Sequence, residues 1–165
     1  DVAGAIYYLN SGYCNPQELV KQLATAAQAC GAVVIQNTPV TDLRIEHGRL
    51  VAVVTAHEEI KADALVLACG SWAPQLAQRL GMRLPVQPGK GYHLDVERPP
   101  AAPAMPVVLI EERIFVTPID DFLRLAGTME FSGFNLRQRP ARIDMLASGA
   151  SRYLPGVRQA PERSR

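Results

Sequence analysis

The stretch Ala64-Leu65-Val66-Leu67-Ala68 is apolar at every position. It ends in Cys69-Gly70, and Ser71-Trp72-Ala73-Pro74 then opens an amphipathic segment. A run that is apolar on both alternating faces predicts a strand covered on both sides, as in a parallel α/β layer. The glycine at the junction has two readings. One is a tight strand-to-helix turn that simply packs. The other is a place where a ligand reaches the main chain, because glycine has no Cβ and a helix N-terminus favours negative charge. In open α/β sheets ligands bind beyond the carboxyl ends of strands, which is where Ala68, Cys69 and Gly70 fall.

The segments before this run set its context. Residues 4–9 read as a short strand closed by the turn Asn10-Ser11-Gly12. Asn15-Pro16-Gln17-Glu18 is a helix start, with Asn as N-cap, Pro at the first helical position and Glu three residues after the cap. Leu19, Val20, Leu23, Ala27 and Cys30 then share a face, and Gly31 is the stop. Residues 32–36, "AVVIQ", predict a buried strand. Three short strands, 40–46, 50–55 and 59–63, are separated by His47-Gly48 and Ala56-His57-Glu58 and predict an antiparallel meander. Ser71 is the expected cap of the helix after Gly70, with Pro74 tolerated in its first turn and Gly81 at its end.

At about residue 84 the character changes. "LPVQPGKGYHLDVERPPAAPAMP" carries six prolines and leaves room for one alternating strand, 91–96. Further strands are expected at 107–110, 113–117 and 122–128, with Asp120-Asp121 turning between the last two. A helix is expected over 140–153, with Ile143, Met145, Leu146 and Leu154 apolar. "GVRQAPERSR" reads as a polar, basic tail without a core-forming pattern. The expected organisation is therefore 13–86 as one domain, 1–12 with 87–155 as a second, and 156–165 as a tail.

Composition excludes several classes. A net charge of +1 with 48% hydrophobic residues fits a globular domain and gives no electrostatic footprint for nucleic acid or a membrane surface. No stretch approaches the ~18 consecutive apolar residues of a spanning helix. Cys14, Cys30 and Cys69 form no C-x-x-C pair and read as reduced thiols of a cytoplasmic protein. His47, His57 and His93 lack metal-ligand spacing, so no metal site is expected.

Chain order adds a resemblance. "YCNPQELVKQLATAAQACGAVVIQNTPVTDLRIEHGRLVAVVT" and "ADALVLACGSWAPQLAQRLGMRLPVQPGKGYHL" resemble the D-amino-acid oxidase family of FAD-dependent enzymes, with the nearest look to its bacterial D-amino-acid dehydrogenase and glycine oxidase branches. "IFVTPIDDFLRLAGTMEFSGF" is similar to the family's substrate-domain strands. The resemblance implies a mixed α/β fold: a partial FAD-binding Rossmann-type half with a three-stranded antiparallel meander, and an antiparallel-sheet substrate half. It implies FAD as cofactor and an amino acid, a D-amino acid or glycine-like, as substrate. The implied reaction is oxidation of the amine, with hydride passing to the flavin. No side chain is assigned as a catalytic acid or base.

Carried over residue by residue, the resemblance places Val40 at the adenine of FAD. Ala68, Cys69 and Gly70 lie along the dinucleotide, with Trp72 beside them. Phe115 and Met129 face the substrate, and Lys90 and Tyr92 start the strand that enters the substrate half. Each has a plain alternative: Val40 as an ordinary strand residue, Phe115 and Met129 as core fill, Lys90 as a solvated lysine, and Cys69 as a small buried hydrophobe.

The family's G-x-G-x-x-G turn, which brings the FAD pyrophosphate onto a helix N-terminus, does not occur in this sequence. None of Arg113, Arg124, Arg137, Arg139 or Arg142 matches the family's substrate-carboxylate arginine. The expectation is a central portion of such an enzyme, weak in FAD binding and inactive by itself. Its expected partners are the amino-acid substrate and a missing-half chain or second copy. Contact with a membrane quinone pool, and so peripheral attachment at the inner membrane, stays open. A non-catalytic interaction domain or split subunit on the same scaffold is the alternative.

Overall fold

The computed structural model describes residues 2–165 and resolves the chain into two antiparallel sheets with three helices. The elements in order are α1 (Pro16–Ala29), β1 (Val40–Glu46), β2 (Arg49–Thr55), β3 (Glu59–Lys61), α2 (Ala73–Arg79), β4 (Lys90–Glu97), β5 (Val107–Leu109), β6 (Ile114–Ile119), β7 (Phe122–Glu130), α3 (Pro140–Ser151) and β8 (Glu162–Ser164). This is a mixed α/β fold. The smaller sheet has order β1-β2-β3 and the larger β5-β6-β7-β4-β8.

Local chemistry explains the parts that match expectation. Asn15 caps α1: its Oδ1 accepts the amides of Gln17 at 3.1 Å and Glu18 at 3.3 Å. Glu18 does not reach back to complete a capping box; it pairs with Lys21 at 2.7 Å. α1 and α2 close alike. The amides of Gly31 and Ala32 return to the carbonyls of Gln28 and Ala27, and those of Gly81 and Met82 to the carbonyls of Gln78 and Ala77. His47 and Gly48, at φ 51° and 77°, form the two-residue turn that joins β1 to β2 with Glu46 opposite Arg49. Asp120-Asp121 joins β6 to β7 with Ile119 opposite Phe122.

The core lies between the five-stranded sheet and α3. Leu94 and Val96 of β4, Val116 of β6, Leu123 and Leu125 of β7, and Ile143 and Leu146 of α3 are all buried there. Gly127 allows the close approach of β7 to the start of β6. A Cβ at that position would stand 2.5 Å from the Arg113 carbonyl oxygen.

The structure corrects several expectations. Residues 4–9, 32–36 and 64–68 form no strand, and both sheets are antiparallel throughout. Their apolar sequences favour extended backbone, but a strand needs a hydrogen-bonding neighbour, and among the described residues none pairs with them. Ile6, Val33 and Val66 are more than four-fifths exposed as a result. Ser71 is not a cap: Gly70–Trp72 forms a 3₁₀ turn, and α2 starts at Ala73 without a side-chain cap. Met145 on α3 faces solvent, whereas its neighbours Ile143 and Leu146 are buried. Residues 156–165 are no free tail. Val157 enters the core at 1% exposure, and β8 pairs with β4. Asp1, the first residue of the expected range 1–12, lies outside the described residues.

Candidate functional site

An open cavity of about 570 Å³ lies between the start of β1, the extended segment 65–69 and α2. Val40, Ala68, Cys69 and Trp72 all line it, so four of the five residues expected at the cofactor share one wall. Gly70 stands at the turn beside them with φ 52°, and a Cβ there would meet nothing within 4 Å. The glycine at this junction therefore answers to the backbone, which turns through the left-handed region, and not to crowding. Cys69 is partly buried and free of any disulfide.

Sequence reasoning missed Gln75, Leu76 and Arg79, which also line the cavity. The signal was present: with Trp72 they recur at helical spacing on one side of α2. Arg79 supplies positive charge at the rim and stands 3.8 Å from Asp42. The lining is otherwise mainly aliphatic, with Leu43, Leu65, Val66 and Leu67 among it. The volume is within the roughly 300–1,000 Å³ of small-molecule sites. Such a wall suits a flat, largely apolar ring system held by backbone and aromatic contacts.

The four residues expected at the substrate are divided between the two faces of the large sheet. Phe115 is opposite Ala126, Ala126 is opposite His93, and Met129 is opposite Gly91, so all of these lie on one face. At 56% and 58% exposure, Phe115 and Met129 are not core fill. Tyr92 is buried on the other face, and its hydroxyl donates to Glu130 Oε2 at 2.7 Å. Lys90 lies over the Tyr92 ring, 5.3 Å from its centroid. With 19% side-chain exposure Lys90 is not a solvated lysine; it donates to the carbonyls of Asn135 at 2.9 Å and Arg137 at 2.7 Å.

Two buried carboxylates anchor this sheet. Glu130 has Arg139 at 3.3 Å, Arg142 at 3.7 Å and Lys90 at 3.8 Å around it. Ser132, then the Tyr92 hydroxyl, and then the charges of Arg139 and Lys90 hold its carboxyl down at about 2 against the cost of desolvation. Asp95 accepts both Arg124 Nε and Nη2 at 2.8 Å and the Ser164 hydroxyl at 2.8 Å. Burial pushes Asp95 up, but the Arg124 and Ser164 bonds outweigh it and hold it below the usual carboxylate range.

The molecule thus presents a largely aliphatic cavity between an extended segment and α2, and an antiparallel sheet that leaves Phe115 and Met129 exposed on one face. The FAD dependent oxidoreductase (DAO) family model matches residues 1–165, and the chain belongs to that FAD-dependent family. A D-amino acid dehydrogenase of Paramagnetospirillum magneticum is 31% identical over 94% of this chain and 37% of its own length. A bifunctional ThiO/ThiG protein of Trichormus variabilis is 35% identical over 98% of this chain and 24% of its own. The crystal structure of glycine oxidase from Geobacillus kaustophilus superposes with a TM-score of 0.78 at 27% identity, over 89% of this chain and 40% of that one. The chain thus spans well under half of the length of these two curated relatives. Among the described residues no helix is long and apolar enough to cross a membrane.

Proposed function

We propose that this chain supplies the cofactor-side wall and the substrate face of an FAD-dependent oxidoreductase acting on the amine of an amino acid, a D-amino acid or glycine. The observation that carries the reading is the convergence of Val40, Ala68, Cys69 and Trp72 on one cavity. In it Val40, the main chain of Ala68, Cys69 and Gly70, and the Trp72 ring hold the cofactor. FAD, when bound, supplies the hydride acceptor for the substrate α-carbon. The exposed Phe115 and Met129 give the substrate an apolar, water-excluding wall. Lys90 and Tyr92 support that face from behind. The imino acid released would hydrolyse to a 2-oxo acid and ammonia, a step that needs no strong base from the protein.

These residues contain no G-x-G-x-x-G turn and are expected to hold FAD weakly on their own. The second reading, a non-catalytic interaction domain or split subunit, draws on the exposed apolar side chains of Phe115, Met129 and Phe134. The test is a titration of the chain with FAD. It follows Trp72 emission and then the visible spectrum after unbound flavin is removed. Saturable quenching of Trp72, weak and reversed by flavin removal, is expected. No saturable change in emission would overturn the cofactor reading and leave the interaction domain.

A further inference from the structure

We propose that residues 131–139 form a pinned Ω-type loop that docks Phe134 on Trp72, with Lys90 as the positioning residue that holds it; its bearing on catalysis rests on reading the Trp72 cavity as the cofactor site. The loop joins β7 to α3. Its two ends are tied by an ion pair in which Arg139 reaches Glu130, the residue before the loop, at 3.3 Å. Arg142 reinforces that neck by donating to the Met129 carbonyl at 3.2 Å and to the Thr128 hydroxyl. Inside the loop the Asn135 amide donates to the Gly133 carbonyl at 2.9 Å, and Asn135 Oδ1 accepts the Arg137 amide at 2.9 Å.

These bonds shape the loop but do not fix its middle to the sheet. Apolar burial does not either, because Phe131, Phe134 and Leu136 are each more than half exposed. The fixing comes from Lys90, whose ammonium donates to the carbonyls of both Asn135 and Arg137 from 45 and 47 residues away. Bonds from a charged donor are the stronger kind. Glu130 Oε1, buried and without a hydrogen-bond partner, lies 3.8 Å from the same ammonium and attracts it to that side of the loop. Immediately before the pinned Asn135 comes Phe134, its ring 5.5 Å from that of Trp72 at an interplanar angle of 36°. Trp72 lines the cavity. Lys90 therefore sets the position of a cavity wall it does not touch.

Trp72 is the sole tryptophan of the chain, so its emission and acrylamide quenching report the contact with no flavin present. Failure of the cofactor reading would leave this measurement intact. Phe134→Ala is expected to raise the quenching constant and red-shift the emission, and Lys90→Met to do the same. Lys90→Arg, which keeps two donors and the charge, should return both values toward those of the unsubstituted chain. A Trp72 signal indifferent to Phe134→Ala, or one changed by Phe134→Ala but not by Lys90→Met, overturns the proposal. Should Lys90→Met lose its sheet signal in far-ultraviolet circular dichroism, the unsubstituted chain decides. The Lys90 ammonium protons should exchange slowly enough to be seen by NMR, and rapid exchange like that of a surface lysine would sink the idea.

Discussion

At the scale of single residues, the two buried carboxylates determine how the molecule responds to acid. Asp95 and Glu130 both titrate below the ordinary carboxylate range in the folded chain. The unfolded chain then binds more protons than the folded one as pH falls, so stability is present above the unfolded pKa and is lost through the folded values. Denaturation midpoints should be flat near neutrality and fall below about pH 4, where free carboxyls begin to protonate. Asp95→Asn should flatten that acid limb. It should also cost roughly 1–3 kcal/mol at neutral pH, toward the low end because Arg124 keeps 30% of its side chain in water. Urea midpoints for both proteins across this pH range are the check. An unchanged acid limb in Asp95→Asn would show that the Arg124 and Ser164 bonds do not hold the carboxyl down.

Among the elements, the C-terminal segment departs furthest from what the sequence suggests, and the reason is physical. "GVRQAPERSR" holds only Val157 and Ala160 as aliphatic residues in a polar run, so no periodicity marks it. Val157 is buried because the 3₁₀ turn Val157–Gln159 carries it under α3, and β8 forms because β4 has an edge to pair with. Neither cause is local. The meander, the β6–β7 hairpin and α1 were legible because their signals are local: His47-Gly48, Asp120-Asp121 and the Asn15 cap act on neighbours in the chain. The cavity wall was legible in part, since Ala68, Cys69 and Trp72 flank one junction. The neighbours of Glu130 were not, because Lys90 and Tyr92 reach it only through the β4–β7 register and Arg139 and Arg142 only through the packing of the start of α3. If the segment belongs to the core, Val157→Ala should cost on the order of 1–2 kcal/mol, as for other buried methyl deletions. Its urea midpoint should fall accordingly. A midpoint equal to that of the unsubstituted chain would return residues 156–165 to the status of a tail.

For the whole molecule, the unequal distribution of buried apolar residues governs how it comes apart. The contiguous buried core belongs to the five-stranded sheet with α3 and Val157. The smaller sheet and α2 bury only Leu43, Ala52, Thr55, Ala73 and Ala77, and α1 buries no residue at all. Segments with few buried apolar contacts open at low free energy, whereas core strands exchange only on global unfolding. Amides of Leu94, Val116, Leu123 and Leu125 should therefore be the slowest to exchange with deuterium, those of β1 and β2 faster, and those of α1 fastest, despite its sound N-cap. The same gradient should appear in denaturant. Trp72, on the weaker side, should change its emission at a lower urea concentration than the loss of sheet signal reports. Coincident transitions and uniform protection would mean that the Phe134–Trp72 contact ties the cavity wall, and the Asn15–Asp120 bond, 3.3 Å long, ties α1, to the large sheet in one cooperative unit. Separate transitions would mean that the cavity wall at 65–72 can rearrange while the Phe115–Met129 face stays folded, so that the two surfaces are ordered independently.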